Sequence, residues 1–200
     1  MKITTVLRGA FVAVAALSLA ACGINSVPAA EEEAKAKWAD VEAQFQRRAN
    51  LVPNLAEVAR GAAESERAIL TEVTEARARA TSVNVSADNL DDPAAMEQFA
   101  AAQGQLSQGL GRLLASFEAY PQIQSNQNFI ALQSQLEGTE NRIAVAIRDY
   151  NEAVRKYNTT IRTFPDIIGA TVVHGAEPLV PYAAVTEGAE AAPTLDMTSN

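Results

Sequence analysis

From Leu136 onward, large apolar side chains recur at Ile143, Ile147, Tyr150, Val154, Tyr157, Ile161 and Phe164. With Glu140 inserted, the spacing alternates four, three, four, three to the end. Phe129 and Leu132 extend the same face upstream. This pattern predicts one long amphipathic helix over about 126–164, whose stripe must be covered by other helices. At ~1.5 Å per residue it would be nearly 60 Å long. Two Tyr-Asn pairs, Tyr150-Asn151 and Tyr157-Asn158, repeat on it seven residues apart.

Three further stripes precede it. Trp38, Val41 and Phe45 mark a first helix over 31–48, with acids at its start and Arg47 and Arg48 at its end, as the helix dipole favours. Asn50 is suited to cap a new helix with Pro53 in its first turn, so 49–52 reads as a break or kink. The second helix then runs to about Thr81 on Leu55, Val58, Ala62, Ile69, Val73, Ala76 and Ala80. A loop over 82–93 ends in Asp92-Pro93, a cap followed by proline at the first helical position. Met96, Phe99, Gln103, Leu106, Leu110, Leu113 and Phe117 form the third stripe, and Tyr120-Pro121 ends it. The fold class is therefore all-α, an antiparallel four-helix bundle over 31–165. Residues 166–200, rich in Gly, Pro and Ala, read as an irregular tail, extended or disordered from Val180 on.

Composition sharpens this picture. Alanine is abundant and aromatics make up 6% of the chain, which suits closely approaching helices. Lys2 and Arg8 are the only charges ahead of Cys22, so the chain from Cys22 on has 14 basic and 24 acidic residues, a net of −10. That balance does not favour nucleic acid. Residues 1–21 have the parts of a secretory signal: a positive start and an apolar stretch over 10–19, short for a bilayer span. Leu19-Ala20-Ala21-Cys22 resembles the bacterial lipobox, which implies cleavage before Cys22 and lipidation of its thiol. The alternative is an uncleaved signal anchor, a single-pass membrane protein. Residues 22–30 then read as a short linker. Gly23, in place of Asp, resembles the pattern permitting export to an outer membrane.

Several motifs stand in one order: Trp38 with Val41; Arg47-Arg48-x-x-Leu51-x-Pro53-Asn54-Leu55; Glu75-Ala76-Arg77; Leu110-Gly111-Arg112-Leu113-Leu114; Glu118-Ala119-Tyr120-Pro121; Asn128-Phe129; Thr139-Glu140-Asn141; the two Tyr-Asn pairs; Phe164-Pro165. Together, over about 35–165, they resemble the LemA family of bacterial envelope proteins. The resemblance implies an all-α bundle facing an aqueous compartment, with a membrane-embedded or lipidated N-terminus. It implies no enzymatic activity, cofactor or catalytic residue. Many relatives resemble single-span membrane proteins, so the lipobox is a departure.

Candidate chemistry is sparse. Glu140 occupies a slot in an apolar stripe, where an unpaired carboxylate is costly. It reads as a perturbed acid in a cleft or as the structural partner of Arg47, Arg48 or Arg77. Arg148, Arg155 and Arg162 share another face at seven-residue spacing, as a surface for lipid phosphates or an acidic partner or as a solvated face with local pairs such as Arg148–Glu152. Gly104, Gly109 and Gly111 lack the residues of a phosphate loop and read as sites of close helix approach. A lone cysteine and a lone histidine, His174, make no metal cluster or catalytic triad. The chain thus reads as a non-enzymatic module tethered through Cys22 that binds another envelope protein, with no cofactor. The other reading is an accessory enzyme or ligand-binding protein with a pocket around Glu140.

Overall fold

The computed structural model describes the backbone of residues 2–58 and 64–183, and the side chains of 24–58, 67–121 and 123–183. Six α-helices follow in order: α1 (Lys2–Val58), α2 (Glu64–Ser82), α3 (Pro93–Ser116), α4 (Pro121–Gln124), α5 (Gln127–Thr160) and α6 (Asp166–Gly169). No strand occurs among the described residues.

Side-chain pairs fix the helix directions. Glu33, Trp38 and Arg48 of α1 meet Lys156, Tyr150 and Glu140 of α5 in that order, so α1 and α5 are antiparallel. Phe45 and Arg48 meet Phe99 and Gln103, so α3 runs parallel to α1. Gln103 reaches Ala80 and Arg112 pairs with Glu72, so α2 opposes α3. This is the expected antiparallel four-helix arrangement. Its interior has two halves. One gathers around Trp38, Phe99 and Tyr150, the other around Leu55, Leu106 and Phe117.

The starts of α3 and α5 follow local signals. The Asp92 carboxylate accepts from the amides of Ala94 and Ala95, and Asn126 accepts from Asn128. All seven positions of the α3 stripe are buried, Gln103 included. Trp38 is fully buried, with its indole N–H on the Val85 carbonyl at 2.7 Å, which ties the α2–α3 loop to α1. A Cβ at Gly109 would lie 3.2 Å from a Val73 methyl, so there the close approach of helices is real. Gly111 and Gly138 have open space around them.

Three sequence expectations need correction. Residues 23–30 are not a linker but part of α1, and Val27 and Ala30 are buried in register with Ala34 and Trp38. The break at 49–52 is absent, because α1 continues through Pro53 to Val58. The tail is ordered as far as 183: α6 leads into a π-helical turn, Ala170–His174, and then an extended strap whose Leu179 and Tyr182 enter the core. The expected tail beyond 183 lies outside the described residues. Two stripe positions also depart. Ile147 is only partly buried, and Phe164, past the end of α5, is 72% exposed.

Two prolines, Pro28 and Pro53, lie inside α1 without ending it, and distant side chains explain how. A helical proline leaves the carbonyl four residues earlier without its amide partner. For Pro53 that carbonyl belongs to Ala49, and the Arg77 Nε–H donates to it at 2.8 Å. For Pro28 it belongs to Ile24, and His174 Nε2 lies 2.9 Å from it. A carbonyl only accepts, so Nε2 carries the proton. Arg77→Met should therefore destabilise the fold by about 1.5–3 kcal/mol, the range for hydrogen bonds to charged groups. In a Pro53→Ala background, where the helix supplies its own amide, the same change should cost much less. Equal losses in both backgrounds by denaturant melts would refute the pairing.

Candidate functional site

Two sets of inward polar groups link the elements of the bundle. The first surrounds Arg48, which is 2% exposed on α1. One terminal nitrogen reaches Glu140 Oε1 at 3.2 Å, and the other donates to the Gln103 carbonyl and Oε1 at 3.0 and 2.9 Å. The guanidinium carbon stands 4.9 Å from the Phe45 ring centre, a cation–π contact. Gln103 passes its own amide to the Ala80 carbonyl at 3.1 Å. The chain Glu140–Arg48–Gln103–Ala80 thus ties all four long helices together. Arg48 is the partner that Glu140's place in the stripe required. Arg47 is exposed, and Arg77 serves Ala49 instead. Glu140 itself is 40% exposed at its side chain, so water shares its charge.

The second set holds the strap to α5. Asn151 donates to the Tyr182 carbonyl at 3.0 Å and accepts from the Tyr182 amide at 2.8 Å. Asn158 does the same with Leu179, at 2.8 and 2.9 Å. Each amide offers a donor and an acceptor side by side, as a neighbouring β-strand would. Seven helical residues rise roughly 10.5 Å and three extended residues span roughly 10 Å, so the two clamps match in length. Between them the Tyr150 hydroxyl donates to the Val180 carbonyl at 2.8 Å, and the Val180 amide bonds to the Leu90 carbonyl. Burial pushes the Tyr150 phenol up well beyond its ordinary range, which keeps it a neutral donor. Burial raises Tyr182 as well, with nearby Arg48 opposing. Pro178 and Pro181 flank the clamped residues and favour the extended backbone the clamps need.

A groove of about 370 Å³ lies where the two sets meet, lined by Phe45, Arg48, Gln103, Ser107, Ile143 and Tyr182 among others. The Glu140 carboxylate is held by Arg48, and the described residues contain no group of three or more His, Cys, Asp or Glu fit for a metal.

The arginines of the other face are separate from both sets. Arg148 and Arg155 are 71% and 74% exposed at their side chains and Arg162 is exposed too. Arg148 pairs with Asp149 rather than Glu152, which pairs with Arg155 instead. Arg155 and Arg162 line one surface groove of about 470 Å³ together with Asn158 and Pro181 of the strap. Cys22 lies in the helical backbone of α1, and its side chain falls outside the described residues.

Sequence reasoning singled out the Tyr-Asn repeat but gave it no role, and it missed Tyr182 as a core residue. The repeat was the available signal: two buried-edge asparagines seven apart require two backbone partners at matching spacing.

Comparison with known proteins supplies the remaining context. Chain segments are similar to Magnetosome protein MamQ 1 and MamQ 2 of Paramagnetospirillum magneticum, each 28% identical over 157 residues. Those alignments cover 70% of this chain and 58% of each relative. Magnetosome protein MamQ of Magnetospirillum gryphiswaldense is 27% identical over 150 residues, covering 67% of this chain and 55% of the relative. The chain thus spans a little over half the length of the curated relatives it matches. A model of the LemA family matches residues 37–196, from the start of the core tryptophan's helical turn through the strap. The chain belongs to the LemA family.

Proposed function

We propose that this protein is a membrane-anchored, non-enzymatic helical module of the bacterial envelope that binds an acidic segment of another envelope protein. The observation that carries the reading is the division of polar groups. Arg48, Gln103, Tyr150, Asn151 and Asn158 are all engaged inside the fold, whereas Arg148, Arg155 and Arg162 stand on an exposed face of α5 and the turn after it. In a chain that is acidic overall, three arginines at heptad spacing form a local basic stripe, and arginine is enriched at interface hot spots. The groove shared by Arg155, Arg162 and Pro181 gives that stripe relief for a carboxylate-bearing partner. Cys22 at the lipobox supplies the tether, and the relatives' designation as magnetosome proteins supports a membrane-associated position.

Simultaneous Arg148→Glu, Arg155→Glu and Arg162→Glu should abolish crosslinking to the partner in intact membranes. Helicity and melting temperature should stay nearly unchanged, because exposed pairs contribute ~0–1 kcal/mol. Undiminished crosslinking would reject the arginine face. Turnover of a small substrate, lost on Glu140→Gln with the fold intact, would favour an enzyme instead.

A further inference from the structure

Large apolar side chains left exposed on this body gather at one end. Val172, Phe164, Val173 and Ile168 are 79%, 72%, 56% and 50% exposed, and Ile167 and Ile24 adjoin them in the chain segments involved. Away from that end, the described residues leave only Ile130 and Val145 comparably exposed. The turn that carries the cluster is built inside out for a water-facing surface. Its small residues, Gly169 and Ala170, are buried against the bundle, and its large apolar residues point away. Two contacts fix this turn to α1 just after Cys22: His174 bonds to the Ile24 carbonyl, and the Ser26 hydroxyl bonds to Asp166. Ile24 is two residues from Cys22, roughly 3 Å along the helix. The apolar cluster therefore sits beside the part of α1 that follows the lipobox cysteine directly in sequence.

We propose that this cluster docks into the lipid surface of the membrane that holds the N-terminus, so that the bundle stands end-on rather than swinging from a free tether. The proposal rests on the reading of the N-terminal segment as a membrane anchor, and it holds whether that anchor is acyl chains on Cys22 or an uncleaved apolar helix. Charge agrees with it. From Thr163 to His174 the chain carries one carboxylate, Asp166, already bonded to Ser26, although the chain from Cys22 on is strongly acidic. A surface low in anions suits phospholipid headgroups, and contiguous exposed apolar residues mark membrane or protein contact sites.

The test uses the full chain in phospholipid vesicles with bromine at a shallow position on the acyl chains. Val172→Trp and Phe164→Trp place a fluorophore in the cluster, and Ile130→Trp places one near the opposite end of α5, about 45 Å from its C-terminus. Trp38, fully buried, provides the baseline in the unchanged protein. Apolar surfaces that dock at an interface sink about 5–10 Å into the headgroup boundary, so the two cluster tryptophans should be quenched about twofold or more beyond baseline. The Ile130→Trp variant should match the baseline, with equal melting temperatures throughout. Vesicles that float with the protein but leave the cluster tryptophans unquenched would overturn the docking and leave the anchor standing. Failure of the protein to float would overturn the anchor and the docking together. Equal quenching of both ends would overturn the end-on placement, and a dimer shielding the cluster without quenching would assign it to a second copy.

Discussion

Tyr182→Ala should destabilise the protein by about 3–5 kcal/mol, the range for truncating a large buried aromatic side chain. It should do so although the residue lies in an extended segment with no regular secondary structure. The reason is its place in the core. The residue is 7% exposed and its ring centre stands 5.8 Å from that of Phe45 and 6.4 Å from that of Phe99, so its loss empties the space between α1, α3 and the strap. Tyr182→Phe keeps the ring and should cost far less, which separates packing from the hydroxyl. Denaturant melts of both variants check this. A strap that merely rests on the surface would give losses within about 0.5 kcal/mol for either change.

The second large effect is an asymmetry within one ion pair. Glu140→Gln should cost about 3 kcal/mol, because it leaves Arg48 charged and buried with only neutral partners. Arginine cannot shed its proton to escape that position. Arg48→Met removes the buried charge itself and leaves Glu140, which is 40% exposed at its side chain, to be hydrated. Its cost should be smaller, set by the lost Gln103 bonds and the Phe45 contact. Half exposure of the carboxylate lowers the coupling below that of a fully buried pair. Paired melts of the two single variants and the double variant measure the asymmetry and the coupling together. A larger loss for Arg48→Met than for Glu140→Gln would contradict this account.

Both effects arise from residues that a linear reading treats unequally. The α3 stripe was legible in full, since every position follows the helical period and all seven positions are buried. The register of α5 against the core was legible through Leu136, Ile143, Tyr150, Val154, Tyr157 and Ile161, which are buried, but not at Ile147 and Phe164. Glu140 could be seen to need a cation, but only the packing of α1 against α5 selects Arg48 over Arg47 and Arg77. Pro53 suggests a boundary because a proline's cost is local, whereas the donors that offset Pro53 and Pro28 inside α1, Arg77 and His174, come from distant segments. The strap was illegible in its own residues. Pro178-Leu179-Val180-Pro181-Tyr182 has no period to read, and its partners are side chains of another element. Its trace was in α5, where the repeated asparagines lie at the edge of an otherwise apolar stripe.

The same observation limits what the inward polar residues are for. Asn151, Asn158 and Tyr150 are each bonded to strap backbone. Together these groups hold the strap in the core, which leaves the outer face of α5 for the binding proposed above. Hydrogen exchange at two backbone amides tests this hold on the strap most directly. In the full chain, the Leu179 and Tyr182 amides should exchange as slowly as those in the middle of α5, and Asn158→Ala with Asn151→Ala should release both. Exchange of these two amides at the rate of an unstructured chain in the unchanged protein would contradict the claim.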